Sequence, residues 1–365
     1  MDISEMQVEN IERCLCCDIK GQVIYEGVID HTFGSPGLWN YLRCSNCGHV
    51  WLSPRPKESI ISNFYKNYYT HAVDAVDSPA KTFFKGILVV DNLISLFSKL
   101  RSKLVHWYLE FYMGYRVDTA KRTGFVKRIK AIASRYSGAG NLAYRKVLGL
   151  RYVPSGKMLD IGCGNGAFLK TMDKLGWCCV GVENDPVSAN IAQKESNAEV
   201  YEGDLQCAKF ESEYFDAISL QHLIEHVYNP HELLLECKRI LKCDGKLVVV
   251  TPNTESLGHS YFKKHWRGLE PPRHINCFSP DSLTNTLISA GFEIVELRVE
   301  NSSLKNIWYA SRLIQSADGA IGITNNKIFY FESKLFHLLA PFIGMLFPNQ
   351  GEEIVLTVTK NSANL

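Results

Sequence analysis

The spacing of apolar residues changes character along this chain, and each change predicts a different kind of structure. Residues 14 to 53 crowd cysteines, glycines and aromatics together around a turn-like HTFGSPG, which predicts a small β-rich module. SPRPKESIISNFYKNYY then reads as a turn leading into a helix. From Thr82 to about Leu150, through ILVVDNLISLFSKL and KLVHWYLEFYM, apolar positions recur every three or four residues, so helices are expected. From Gly156 onward short apolar runs alternate with amphipathic ones. MLDIGCGNGAF is a strand ending in a glycine-rich turn, and FLKTMDKLG is the helix after it. WCCVGVEND is a second strand, and PVSANIAQKES a second helix with Pro186 in its first turn.

The alternation continues with EVYEGD, YFDAISLQH, the helix HELLLECKRIL ending at a turn in CDGK, and the run KLVVVTPN. SPDSLTNTLISAGFEIVELRV adds a helix, a stop at Gly291 and another strand, and EEIVLTVTK reads as the last strand. Strands alternating with helices of this length predict βαβ units, hence an α/β fold with a mostly parallel sheet covered by helices on both faces. Apolar helical stretches between Leu304 and Gln350 read as an insertion that caps an active site.

Composition narrows the picture in three places. A hydrophobic fraction of 46% over 365 residues supports one sizeable domain with a smaller appendage. The net charge of +2 conceals a basic stretch, because Lys99 to Lys146 holds twelve Lys or Arg against Glu110 and Asp118 alone. The N-terminal MDISEMQVENIER has no apolar core of a secretory signal, so a cytoplasmic location with reduced thiols is expected for the twelve cysteines. The longest apolar run, LFHLLAPFIGMLF, spans 13 residues and is too short to cross a bilayer of about 30 Å.

In Asp160-Ile-Gly162-Cys-Gly164-Asn-Gly166, glycines at alternate positions follow a strand and open a helix, so backbone can approach a ligand without obstruction by Cβ. Glu183 ends the second strand 17 residues beyond Gly166, where a carboxylate can accept hydrogen bonds from a ribose. Asp204, with Leu205 beside it, follows the third strand, where an acid can meet an adenine amino group. At these residues the chain resembles class I S-adenosylmethionine-dependent methyltransferases. DIGCGNG is similar to their first motif, Glu183 to their acidic motif and Asp204-Leu205 to their adenine-side motif. The Gly-x-Gly-x-Gly spacing departs from the dinucleotide Gly-x-Gly-x-x-Gly and argues against a nicotinamide dehydrogenase. The resemblance, over roughly 156 to 360, implies a Rossmann-like seven-stranded sheet with an antiparallel last strand. It also implies S-adenosyl-L-methionine as cofactor, held by Asp160, Gly162, Gly164, Gly166, Glu183, Asp204, Leu205 and Gln221, and transfer of its methyl group to a nucleophile.

Gln221-His222-Leu-Ile-Glu225-His226 follows the fourth strand, at the carboxyl edge where open α/β sheets bind ligands. If a helix begins here, His222, Glu225 and His226 share a face. His274 in PPRHINCFS is a fourth candidate. Three readings stay open: a histidine general base, a divalent metal site, or a hydrogen-bonded cluster that only supports the loop. The stretch resembles the IEHV motif of quinone-biosynthesis O-methyltransferases and small RNA 2′-O-methyltransferases, in which an acid usually stands where His222 does. In Thr251-Pro252-Asn253, Asn253 is expected to serve function. The tract from His265 to His274, with an aromatic and two arginines, is expected to form a substrate lid.

Cys14-x-x-Cys17 and Cys44-x-x-Cys47, separated by 26 residues, offer four thiolates in two clips, the composition of a structural zinc site. Gly48 lets the backbone turn back toward the metal, and Cys16 is an alternative ligand. CLCC, RCSNCGHVWLSPRP and FYKNYY resemble the zinc region ahead of sugar C-methyltransferases and related surface-polysaccharide enzymes, which implies a sugar or glycan acceptor. The expected domains are therefore a zinc module over 1–70, a helical linker or cap over 71–150, and a methyltransferase domain over 151–365 with a helical insertion at about 304–350.

The leading functional expectation is O-methylation of a sugar, glycan or other secondary-metabolite hydroxyl. RNA methylation is the second, suggested by the basic stretch and the zinc module. A non-catalytic protein lying on a membrane surface is the third, from FFKGILVV, HWYLEFYM and LFHLLAPFIGMLF, and peripheral attachment at the inner membrane surface is compatible with a lipid-linked acceptor.

Overall fold

The computed structural model describes residues 7–65, 88–115, 124–136, 139–317, 326–347 and 349–361. Parts of the basic stretch (116–123 and 137–138), of FYKNYY (66–69) and of FFKGILVV (83–87) lie outside the described residues. The chain divides into two compact units, one made of 1–68, 210–213 and 218–365, the other of 69–209 and 214–217.

Thirteen strands are described, numbered in chain order. β1 (Val8–Glu9) pairs antiparallel with β5 (Arg55–Pro56). β2 (Gln22–Val28), β3 (Trp39–Arg43) and β4 (Val50–Leu52) form an antiparallel sheet that β11 (Asn276–Cys277) completes, in the order β11-β4-β3-β2. The remaining strands are β6 (Lys157–Ile161), β7 (Cys178–Glu183), β8 (Glu199–Glu202), β9 (Phe215–Gln221), β10 (Leu241–Pro252), β12 (Phe292–Glu300) and β13 (Glu353–Lys360). They form one seven-stranded, mostly parallel sheet in the order β12-β13-β10-β9-β6-β7-β8. β13 runs antiparallel to both neighbours, the expected place for the reversed last strand. β6 and β13 are almost wholly buried.

Local chemistry places the helices. Asp185 caps helix Pro186–Glu195 by accepting from the Ser188 amide at 2.8 Å, and Pro186 takes the first turn, where no amide is needed. Ser279 and Ser282 form a reciprocal cap on helix Pro280–Ser289. Helix Pro230–Ile240 ends just before CDGK, as expected, and β10 starts directly after it at Leu241. Among the described residues no helix is long and apolar enough to cross a membrane.

The core of the first unit is continuous. Trp39, Tyr41, Val50 and Leu52 from the N-terminal strands pack with Trp266, Leu269 and Trp308 in a single cluster. The tract 265–274 is therefore not a lid, since Trp266, Leu269, Glu270, Arg273 and His274 are all buried. Arg273 is likewise unavailable to a substrate. The Arg273 guanidinium, with no exposed surface, donates to Asp30 Oδ2 at 2.8 Å, Glu270 Oε1 at 3.0 Å, Ser35 Oγ at 2.9 Å and the Phe64 carbonyl at 3.3 Å. A loop with arginines and an aromatic reads from sequence as a binding surface, but here three of the four partners of Arg273 come from more than two hundred positions away. Asp30 is itself fixed, because its carboxylate also accepts from the amides of Thr32, Phe33 and Ser35 and so builds the HTFGSPG turn. Replacing Asp30 with alanine removes one partner of a buried cation and is expected to cost about 3–5 kcal/mol in guanidinium unfolding. A loss under about 1 kcal/mol would show that Arg273 reaches other partners.

Candidate active site

The glycine-rich turn after β6 is built as expected. Gly162, Gly164 and Gly166 all adopt left-handed backbone, with φ of 72°, 54° and 76°. Gly162 and Cys163 donate to the Val182 carbonyl at 2.8 and 3.2 Å, which folds the turn over the end of β7. Glu183, the last residue of β7, accepts from the Gly164 amide at 2.8 Å and from the Asp185 amide at 3.0 Å. Its carboxylate therefore faces the turn rather than away from it. Gly166 has a different reason to be glycine: a Cβ there would lie 2.8 Å from Ala192 Cα, so it serves helix packing. Asp160 is buried at the end of β6, while Asp204 is exposed beyond β8 and accepts from the Cys207 amide at 2.9 Å. The hydrogen bonds to Cys207 hold the Asp204 carboxyl below its usual range. Leu205 is buried next to it, and Gln221 ends β9 half-buried.

In the first unit the histidines converge, though not on a helix. His222 takes a left-handed φ of 52°, and only a short 3-10 turn, Ile224–His226, follows. The shared helical face is thus replaced by a tight turn, and it still brings the side chains together. Glu225 is buried; its Oε2 accepts from Thr251 Oγ1 at 2.9 Å. Among the described residues its Oε1 makes no well-formed hydrogen bond, and His222 Nδ1 lies 3.5 Å from it. On its other side His222 Nε2 lies 3.1 Å from Glu353 Oε1. Burial opposes charge on this imidazole, but the hydrogen bonds and charges of Glu225 and Glu353 prevail and raise its pKa to about 10. Nearly half of the His222 side chain is open to solvent (46%), which screens these charges. Burial likewise opposes charge on Glu225, yet His222, His226 and His274 together hold its carboxyl down at about 2.

The other two imidazoles differ from His222. His274 Nδ1 is 2.7 Å from the Gly268 carbonyl and His226 Nδ1 is 3.1 Å from the Arg273 carbonyl. The Gly268 carbonyl only accepts, so His274 Nδ1 carries a proton, whereas His226 Nδ1 lies between the Arg273 carbonyl and the Tyr65 hydroxyl, which can donate as well as accept. Burial lowers the His274 pKa to about 4, so this ring is neutral at physiological pH. The two rings meet edge to face at 4.6 Å between centroids, and Glu225, His226 and His274 each present a ligand atom within 4.8 Å of the others.

Three contributors to this group escaped the sequence reading. Tyr65 places its hydroxyl 2.9 Å from His226 Nδ1 and packs edge-on against that ring, and Glu353 and Thr251 hold His222 and Glu225. FYKNYY and the EE before β13 were visible as patterns, but nothing local said which histidine they would meet. Asn253 proves structural. Its amide donates to the Asn349 and Gly351 carbonyls at 3.1 and 2.8 Å, and its oxygen accepts from the Glu255 amide at 2.9 Å.

Cys14, Cys17, Cys44 and Cys47 gather with their sulfurs within 4.8 Å of one another, and Cys14 and Cys47 are 3.6 Å apart. Tetrahedral zinc sites with Zn–S of about 2.3 Å require sulfurs about 3.8 Å apart, so the four thiols suit the ion. Gly48, at a φ of 72°, donates to the Cys44 carbonyl at 3.1 Å and closes the second clip. Cys16 turns away to Thr286 Oγ1 at 3.2 Å and is not one of the set.

A family model described as a methyltransferase domain matches residues 138–297. The chain carries a methyltransferase domain. Curated relatives include the ubiquinone biosynthesis O-methyltransferase of Glaesserella parasuis, 35% identical over 107 residues, covering 27% of this chain and 45% of that protein. The protein of the same name from a Bradyrhizobium strain is 31% identical over 153 residues, covering 38% of this chain and 59% of that one. The chain thus spans about half the length of the curated relatives it matches. Among solved structures, a SAM-dependent methyltransferase from Archaeoglobus fulgidus covers 63% of this chain and 98% of its own at 20% identity, with a TM-score of 0.41. The glycine turn, Glu183, Asp204 and the Glu225–His226–His274 group all fall within the matched methyltransferase domain, whereas Tyr65, Glu353 and the cysteine cluster lie outside it.

Two outcomes are expected. Elemental analysis should find about one zinc per chain, lost in Cys44→Ser, and a folded protein devoid of zinc would refute the metal role of the cluster. His222 should stay charged through neutrality. Because its pKa is raised from 6.5, the stability it contributes is complete below that value and is lost as pH rises through about 10. NMR titration should place its midpoint well above 9 and Glu353→Gln should lower it; a wild-type midpoint near 6.5 would contradict the ion pair.

Proposed function

We propose that this chain is an S-adenosylmethionine-dependent O-methyltransferase acting on a hydroxyl of a sugar, glycan or other small metabolite. What carries the reading is the pair of imidazoles, His226 and His274, held by backbone carbonyls so that each brings a ring nitrogen within 4.8 Å of the buried carboxylate of Glu225. Such an arrangement removes or displaces a hydroxyl proton. The glycine turn fits the cofactor because the backbone is already open in left-handed geometry and Glu183 is already aimed at it. Gly162, Gly164, Glu183 and Asp204 would hold the cofactor. When bound it supplies a methyl group on a sulfonium, already electrophilic enough to need no further activation.

The protein's own work is then to prepare the acceptor. His226 Nε2 takes the proton from the acceptor hydroxyl while its Nδ1–H stays on the Arg273 carbonyl, with the Tyr65 oxygen beside it. Glu225 stabilises the imidazolium that forms, and His222, already cationic, keeps that carboxylate ionised. The names of the curated relatives support oxygen as the atom methylated, and the resemblance of the N-terminal cysteine region to polysaccharide enzymes supports a sugar hydroxyl. A second reading is favoured by one observation, that Glu225 Oε1 makes no well-formed hydrogen bond among the described residues: with His226 and His274 it forms a set of two histidines and one carboxylate that suits a divalent cation, which would acidify the same hydroxyl.

Turnover of labelled S-adenosylmethionine with a panel of nucleotide sugars and phenolic acceptors tests the reading. His226→Ala should lower kcat by about 10²- to 10⁴-fold and leave cofactor affinity unchanged by calorimetry. Gly164→Arg should abolish cofactor binding. A fully active His226→Ala enzyme would remove the base, and activity lost to a chelator and restored by a divalent cation would select the second reading.

A further inference from the structure

Helix Lys327–Leu346 has two apolar faces, and the core uses only one. On the inner face Phe336 stacks on Trp308 with centroids 3.8 Å apart, Tyr330 meets Tyr309 edge-on at 5.7 Å, and Ser333 and Ala340 are buried. On the outer face Ile328, Phe331, Leu335, Leu338 and Leu346 are exposed, four of them by more than 70% of their surface. At about 100° per residue these five positions fall within roughly a quarter of the helix circumference, so they form one stripe along its length. A stripe of large apolar residues this continuous is rare on a surface left to water.

The charges around the stripe say what covers it. Lys327 and Lys334 lie next to one another on one edge of it, by the same helical spacing. Glu332, the single acid of this helix, turns inward instead, accepting from Trp308 Nε1 at 3.1 Å and Arg312 Nε at 3.3 Å. The outward face is thus apolar with a cationic rim, and none of the five stripe residues carries a polar side chain to pair with a protein partner. We propose that this face lies on an anionic lipid surface, with the stripe among the acyl chains and the two lysines at the headgroups. This goes beyond the methyl-transfer reading and stands independently of it.

Flotation of the full chain with vesicles tests the proposal. The wild type should float with vesicles of phosphatidylcholine and phosphatidylglycerol, less with phosphatidylcholine alone, and less as salt is raised. Phe331→Glu with Leu338→Glu should weaken partitioning about tenfold or more, and Lys327→Ala with Lys334→Ala should weaken it only where phosphatidylglycerol is present. Both pairs replace surface side chains, and the lipid and salt dependence of the wild type reads the proposal without any variant. A wild type that stays with the aqueous fraction, or a glutamate pair that floats equally well, overturns it. So does a concentration-dependent dimer that the glutamate pair abolishes while vesicles leave the protein in solution, since the face would then be covered by a second copy.

Discussion

Arg273 is a cation with no access to water, and a buried cation is tolerated only when nearly every donor it carries finds an acceptor. Its acceptors come from the HTFGSPG turn, from Glu270 within its own loop and from the carbonyl just before Tyr65. Asp30 and Glu270 flank the guanidinium, and Glu270 is held well below the usual carboxylate range because the charges of Arg267 and Arg273 outweigh its burial. This one ion fixes the N-terminal strands against the loop 263–279. The same loop supplies the Gly268 and Arg273 carbonyls that face His274 Nδ1 and His226 Nδ1. A change at Arg273 would therefore reach the candidate active site through backbone position, with no contact to any substrate.

The histidines illustrate how neighbours divide chemically similar groups. His222, between two carboxylates and half open to water, is cationic, while His274, buried against a carbonyl, is neutral. Glu225 stands between them and serves both, ionised because the imidazoles around it outweigh its burial. Groups whose environments push their pKa values apart mark sites where protons are moved, and here the separation is set within five residues of sequence together with Glu353 and His274 from elsewhere. Glu352, adjacent to Glu353, faces the opposite way, accepting from Trp266 Nε1 at 3.0 Å and the Gly258 amide at 2.8 Å, and burial raises its pKa to about 7. Two neighbouring acids, one just before β13 and one at its start, thus have pKa values moved in opposite directions because successive side chains of extended backbone point to opposite faces.

The apolar insertion shows a related division. Read as a helical cap, LFHLLAPFIGMLF promised a buried face, and the structure gives it one through Phe336 and Ala340. It also leaves a second face outside, which periodicity could not distinguish from the first, since both are apolar. The tract 265–274 is the opposite case, polar in composition and buried in fact.

The sequence alone determined the alternation of strands and helices, the glycine turn with its facing acid, the two cysteine clips and the Glu225-His226 pair. These features depend on residues close together in the chain, where backbone freedom and periodicity act directly. Tertiary structure alone decided that Arg273 belongs to Asp30, that Tyr65 and Glu353 complete the histidine group, that Asn253 is structural and that His222 leaves the helix for a left-handed turn. Each of those outcomes depends on a partner brought from a distant part of the chain, and the free energy of burying a charge or polar group is fixed by that partner, which no local pattern contains.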